Sequence, residues 1–341
     1  MDIEIQNFIK IWLTATASLI FCHQLAARIP GGAVRLLSLL PIFYLFTTLP
    51  LRLSSFHLGA PTAFYLVWLG NFKLLLFAFN QGPLSPNPPL SLLHFLSVAL
   101  LPIKTKQAPS PNSSSRAIPF LVKCSLLTVI VNLYKYREFM HAYLILALYC
   151  CHVYLGVELV LAITAMPVRA VLGLELEPQF NEPYLTTSLQ DFWGRRWNLV
   201  VTRILRPTVY HPVRRISTRV LGIRWAPAPA ILVTFLVSGL MHEIIYYYLT
   251  RERPTWEVTW FFVLHGLLVV VEIGLKKALT GCVRLHSAVS GPLTVAIVAV
   301  TGGLLFFPQV TRNQLDVKAI NEYSILVGFI NDILRIRKPS I

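Results

Sequence analysis

The chain has 341 residues, of which 55% are hydrophobic and 13% charged, where an ordinary soluble protein carries about 25% charged residues. A chain this apolar cannot cover itself with polar groups, so lipid must cover much of it. That excludes a cytosolic enzyme, a disordered protein and a secreted disulfide scaffold. Thirty Lys and Arg stand against fifteen Asp and Glu, a formal charge of +15. The surplus sits between long apolar runs and reads as basic loops on the cytoplasmic side of a membrane, not as a nucleic-acid surface.

Apolar runs follow one another along the chain at 8–27, 34–50, 60–79, 90–103, 119–133, 140–164, 228–249, 256–275, 289–307 and 323–334. The first lacks a basic leader and a small-residue cleavage site, so it reads as a retained span and not a signal peptide. A span needs about 20 residues. The runs at 90–103 and 323–334 are short for that and read as re-entrant or tilted. Alternation of polar and apolar residues is absent over the long runs, which argues against strands. The expected fold is therefore all-α, a polytopic transmembrane helical bundle of eight to ten spans. Pro- and Ser-rich connectors at 81–89 and 107–115 mark loops. Cys22, Cys124, Cys150, Cys151 and Cys282 lie in or beside apolar stretches with no Cys-x-x-Cys pair, so they read as buried apolar filler and no metal site is expected. No internal repeat is visible, which weakens an inverted-repeat transporter.

The organisation expected is one integral-membrane domain: N-terminal helices over 1–165, a cytoplasmic and interfacial segment over 166–227, and C-terminal helices over 228–341. Arg195, Arg196, Arg203, Arg206, Arg214, Arg215, Arg219 and Arg224 fall in the middle segment with no acid among them, which places it in the cytoplasm. Followed helix by helix, Lys276, Lys277, Arg284, Arg335, Arg337 and Lys338 fall on the same side, as do Lys104, Lys106 and Arg116. Both termini are then cytoplasmic if all ten runs cross.

Two stretches carry chemistry. Placed on a helix, residues 191–210 align Trp193, Trp197, Val200 and Ile204 in a stripe about 60° wide, and Arg195, Arg196, Arg203 and Arg206 in a separate sector. This is the pattern of an amphipathic helix in the membrane interface, with tryptophans at headgroup level and arginines in water. The arginines either touch anionic lipid or hold the phosphates of an anionic cosubstrate, a task that suits guanidinium groups. Asn198 belongs to neither sector and is free to face a site. The second stretch reads SGLMHE at 238–243. His242 lies twelve steps past Ala230, roughly 18 Å along a helix, which is close to mid-membrane. An ionisable residue at that depth is a candidate functional group; the alternative is a packing histidine bonded to a neighbouring backbone. Tyr246 stands where a zinc-type second histidine would be needed. Ser238 lies one turn before His242, although i,i+4 neighbours aim poorly at each other for nucleophilic attack. His265, on the next helix, is a candidate for lining the same cavity. His152 and Glu158 read as inter-helix hydrogen-bonding groups, and Lys73 as a snorkelling or packing residue.

FWGRRWN at 192–198, followed further on by a membrane-buried histidine, resembles the membrane-bound O-acyltransferases. The closer likeness is to their plant wax synthase branch, the long-chain-alcohol O-fatty-acyltransferases. Residues 49–79 and 92–104 share it, so the resemblance covers nearly the whole chain. It implies an acyl-CoA cosubstrate, no further cofactor, a lipophilic hydroxyl acceptor and an endoplasmic reticulum membrane. It implies His242 and Asn198 as catalytic residues. Trp193, Arg195, Arg196, Trp197, Arg203, Ser238 and His265 are then candidates for contact with substrate or CoA. The sterol and diacylglycerol branches usually carry an aspartate in this motif and a second tryptophan before the asparagine. Here Arg195-Arg196 precede a single Trp197, which favours fatty alcohols as acceptors, with a sterol as the alternative. A lipid or anion transporter is the competing reading from another class.

Overall fold

A computed structural model describes residues 2–102, 117–172, 178–279 and 286–336. Cys282 and six of the basic residues used above for orientation (Lys104, Lys106, Arg116, Arg284, Arg337 and Lys338) lie outside them, as does the connector at 107–115. Among the described residues the regular elements are all helical. They are α1 (Asp2–Gln24), α2 (Ala33–Thr48), α3 (Phe56–Ala63), α4 (Asn71–Ala78), α5 (Leu92–Leu100), α6 (Ala117–Leu133), α7 (Ala142–Leu172), α8 (Leu189–Asp191), α9 (Leu199–Leu205), α10 (His211–Trp225), α11 (Pro227–Thr250), α12 (Glu257–Ala278), α13 (Ser287–Thr301), α14 (Phe307–Arg312) and α15 (Leu315–Ile336). Eight helical stretches among the described residues are long and apolar enough to cross a membrane: Ile3–Arg28, Ala33–Arg52, Phe56–Ala78, Ile118–Phe139, Ala142–Leu172, Pro227–Thr250, Glu257–Ala278 and Ser287–Arg312. The protein is a polytopic helical membrane protein.

The run at 90–103 holds only the nine-residue α5, roughly 14 Å long, under half the hydrocarbon thickness. It is tied in place from both ends. His23 Nε2 donates to Leu90 O at 3.0 Å. The Lys73 ammonium donates to Val98 O at 2.6 Å and Leu101 O at 2.7 Å, filling carbonyls that a helix end leaves open. Lys73 is thus a buried packing residue. Since α5 does not cross, α1 runs the other way from the ten-span count. Contacts agree: Glu4 accepts from the Ser54 and Ser55 amides at 2.7 and 2.6 Å, and Arg251 donates to Leu51 O and Leu53 O. The N-terminus therefore lies at the end of the bundle that holds Arg251, opposite the arginine-rich α10.

The amphipathic helix also lies elsewhere. Residues 191–210 are not one helix; α8, a π turn over Phe192–Arg196, α9 and a second π turn over Arg206–Tyr210 divide them. Helix α10 exposes Ile216, Val220 and Leu221 together with Arg214, Arg215 and Arg219, the mixed apolar and basic surface of a helix lying in the interface. Cys151 is exposed and not buried filler.

Candidate active site

Helices α11 and α12 form the frame. They approach closely because Gly239 and Gly266 carry no side chain. A Cβ on Gly239 would come within 2.8 Å of Thr259 Cα, and one on Gly266 within 3.0 Å of Phe235 Cβ. Small residues let membrane helices meet this way. Glu243, buried, points away from His242 and accepts from the Thr259 amide and hydroxyl at 3.3 and 3.4 Å. Thr259 N is one of the first donors of α12, so the carboxylate sits where a helix start favours negative charge.

This packing fixes His242. Its Nδ1 lies 2.8 Å from Ser238 O. A carbonyl only accepts, so Nδ1 carries the proton, and in a neutral ring Nε2 is left with a free lone pair. Among the described residues Nε2 has no hydrogen-bond partner, and it is not fully sealed. Aromatic rings wall the imidazole. Phe262 stacks on it at 4.4 Å and 29°, Trp68 meets it edge-on at 5.2 Å and 82°, and Phe306 lies at 5.9 Å. The Ser238 backbone, not its hydroxyl, faces the ring, so no Ser–His nucleophile pair forms.

The FWGRRWN stretch enters this frame. Ser188 caps α8, accepting from Asp191 N at 3.1 Å. Trp193 does not lie at headgroup level. Its ring packs on Phe235 of α11 and on Phe261, Phe262 and His265 of α12, at 5.3–6.1 Å. Trp197 stacks on Phe192 at 5.4 Å and meets Phe180 edge-on at 5.2 Å. The tryptophans are internal because the break between the π turn and α9 turns them inward, away from the single stripe a continuous helix would give.

Asn198 is that break. Its φ is 34°, a left-handed conformation that Asn tolerates better than most residues. A second segment clamps it: Leu199 N donates to Gln179 O at 2.8 Å, and Asn181 N to Arg196 O at 2.9 Å. Gln179 Nε2 reaches Pro102 O at 2.6 Å, linking the turn to the end of α5. The Asn198 Oδ1 is sealed in without a hydrogen-bond partner.

The arginines divide. Arg196 binds Asp191 at 2.5 Å and donates to Asn181 O and Glu182 O; it holds the turn. Arg203 is half-buried on α9, while Arg195 is exposed. His265 is fully buried, with Nε2 at 2.9 Å from Thr301 Oγ1. His152 joins Tyr134 and Tyr323 by hydrogen bonds, and Glu158 pairs with Lys123; both link helices, as the sequence suggests. Among the described residues no three His, Cys, Asp or Glu side chains converge as a metal site requires.

The model of the "Membrane bound O-acyl transferase family" matches residues 176–264, the stretch that holds Asn198 and His242. A long-chain-alcohol O-fatty-acyltransferase of Simmondsia chinensis is 54% identical over 96% of both chains. The chain belongs to the membrane bound O-acyl transferase family. A probable long-chain-alcohol O-fatty-acyltransferase of Arabidopsis thaliana is 47% identical over 94% of this chain and 96% of its own. An acyl-CoA–sterol O-acyltransferase of the same plant is 44% identical over 96% and 97%. The protein is an acyltransferase, and the family match frames the two pieces built above. Sequence reasoning missed the walls of the site in this acyltransferase, Trp68, Phe262 and Phe306, and the Thr301 partner of His265. A tryptophan in mid-span, as in VWLGN at 67–71, was the available signal for Trp68. The other three look like any apolar-helix residue.

Proposed function

We propose that the protein moves a fatty acyl group from acyl-CoA to the hydroxyl of a lipophilic alcohol, foremost a long-chain fatty alcohol, giving a wax ester in the endoplasmic reticulum membrane. A thioester is already activated, so the reading calls for no cofactor. An alcohol is a poor nucleophile at neutral pH and needs a base as the new bond forms. His242 Nε2 takes the hydroxyl proton while the oxygen attacks the thioester carbonyl. The carbonyl oxygen becomes an oxyanion, and the Asn198 amide stabilises it. The C–S bond then breaks, and the departing CoA thiolate recovers the proton from Nε2. The aromatic walls keep out water, which would otherwise hydrolyse the thioester. Trp193 and Trp197 seat Asn198, Ser238 sets the His242 tautomer, and Arg195, with Arg203 and the arginines of α10, meets the phosphates of CoA.

The observation that carries this reading is the tautomer of His242: with Nδ1 committed to Ser238 O, the lone pair of Nε2 is presented in the form a base requires. The test supplies membranes containing the protein with one labelled acyl-CoA and a panel of fatty alcohols and sterols. Wild type should form ester, most from a fatty alcohol. His242→Ala should accumulate normally and turn over about 10²–10⁴-fold more slowly. Normal turnover by that variant removes His242 as the base, and no ester from wild type on any alcohol removes the reading itself. A sterol acceptor is the second reading, favoured by the relative named a sterol O-acyltransferase; the same panel decides between them.

A further inference from the structure

Beside the base stands a tyrosine that the mechanism does not use. Tyr246 lies one turn past His242 on α11, towards Thr250 and Arg251, and is buried. Residues 251–256, which follow α11 directly, are all exposed. Tyr246 therefore stands between His242 and the polar end of the bundle that holds Arg251. Its hydroxyl donates to Phe306 O at 3.0 Å. The Tyr246 ring meets the Phe306 ring at 5.9 Å and 63°, and Phe306 in turn meets His242 at 5.9 Å and 69°. Val258 and Phe261 of α12 and Leu315 of α15 are buried in the same cluster. Further along the chain from Phe306, Arg312 pairs with Glu257 at the start of α12, so the segment that carries Phe306 reaches the same end.

Three rings wall His242, and they are held in different ways. Trp68 and Phe262 are 1% and 4% exposed, fixed by close packing. Phe306 is half-buried and closes a π turn over Gly302–Phe306. Such turns are rare, local departures from the α ladder, often at functional positions. Pro308, just beyond, brings no amide to that ladder. The Tyr246 hydroxyl adds a fixed point on the backbone of Phe306 itself. Water that passes a displaced Phe306 has a reaction of its own at His242. Nε2 takes its proton, its oxygen attacks the thioester carbonyl, the C–S bond breaks and the thiolate recovers the proton, leaving fatty acid and CoA in place of ester. We infer that Tyr246 is a positioning residue that pins Phe306 as a seal between His242 and the Arg251 end of the bundle, and so directs the acyl group to alcohol instead of water. This rests on the reading of His242 as the base.

The test reads a ratio of products. Protein purified in detergent receives labelled hexadecanoyl-CoA with hexadecanol, and fatty acid and ester are counted together, with the acid released by His242→Ala subtracted. Tyr246→Phe keeps the ring and removes the hydroxyl. It should raise the ratio of acid to ester about fivefold, the shift in population that one hydrogen bond of ordinary net strength controls. Phe306→Ala should raise it at least as far. Adding Tyr246→Phe to Phe306→Ala should raise it no further, since the hydroxyl acts through that ring. The ratio is taken inside each variant, so loss of folded protein cancels; a purely structural role for Tyr246 lowers both products together. An unchanged ratio in Tyr246→Phe or in Phe306→Ala overturns the inference, as does a further rise in the double variant. Failure of wild type to make any ester is a failure of the acyltransfer reading. The seal is then judged without turnover. In His242→Cys, a water-soluble methanethiosulfonate should label position 242 about fivefold faster once Tyr246→Phe is added, counted over the label taken by the cysteines of wild type. Equal rates overturn the seal.

Discussion

Two kinds of buried polar cluster occur in this bundle, and they differ in whether their valences are filled. Around Arg35, on α2, every guanidinium nitrogen has an acceptor. Nε donates to Ile29 O at 2.9 Å, one terminal nitrogen to Phe77 O and Asn80 Oδ1 at 3.0 and 2.6 Å, and the other to Ile29 O and Ala27 O at 2.5 and 3.4 Å. Around His242 the opposite holds. Trp68 Nε1, Trp193 Nε1 and His265 Nδ1 are sealed and unpartnered, as is Asn198 Oδ1 in the FWGRRWN turn. A satisfied network rigidifies the fold; an unsatisfied one is tolerated where a ligand supplies the missing partners. The comparison teaches that a buried charge such as Arg35 belongs to the scaffold when its donors are filled, so burial of a polar group alone does not mark a site.

The sharpest way to break it is at Asn198, where fold and chemistry both need the same residue. The φ of 34° is reason enough for an asparagine in a turn. Glycine also accepts that conformation. If Asn198 serves only the turn, Asn198→Gly should be nearly neutral. If its amide serves the oxyanion, turnover should fall about 10²–10³-fold, with acyl-CoA binding and thermal stability little changed. Steady-state kinetics beside a melting curve separates the outcomes, and unchanged turnover would return Asn198 to the scaffold.

Arg35→Met attacks the other side of the comparison. It fits an apolar stem into the same space and takes the arginine donors from Ile29 O and Asn80 Oδ1, while Phe77 O keeps the Asn80 amide. The expected loss is about 2–3 kcal/mol of stability, seen as a lower Tm in detergent, with turnover per folded molecule unchanged. A variant that stays as stable as wild type but loses turnover would show that satisfaction of valences does not mark the scaffold.

How much of this was legible in the chain depends on the range of the interactions. Apolar runs long enough to span gave the helices, because a backbone in lipid must satisfy itself within one segment. His242 was legible because a lone imidazole in a long apolar run stands out. The inward turn of Trp193 and Trp197 was not, because a 100° periodicity assumes an unbroken helix and Asn198 breaks it through contacts with Gln179 and Asn181, which lie outside the motif. Arg196 reads like its neighbour Arg195 until Asp191 is seen to take it up. The direction of α1 was lost with one short run. Whether α5 crosses is settled by Lys73 and His23 at its two ends, residues far from it in sequence. Gly239 looked like a neutral member of SGLMHE, yet its missing Cβ is what lets α12 bring Phe262 against His242.

The smallest effect is expected at Glu322, on α15, outside the eight apolar stretches. Its carboxylate accepts from Ser55 Oγ at 2.8 Å, from the Phe56 and His57 amides at 2.6 and 2.9 Å, and meets His57 Nδ1 at 2.9 Å. Burial pushes its pKa up, but these four contacts together outweigh it and hold the group down at about 2. An unfolded glutamate titrates near 4.3. A depressed folded pKa means that the stabilisation is fully present above the unfolded value and is lost as pH falls from there to about 2. Glu322→Gln keeps an acceptor but not the charge, and should cost about 1 kcal/mol at neutral pH. The gap in Tm between wild type and variant should therefore be widest near pH 7 and close progressively below about pH 4. A gap that stays constant down to about pH 3 would mean that shape and not charge secures α15 to the start of α3, and Glu322 would then belong with the apolar packing instead of with the filled polar clusters.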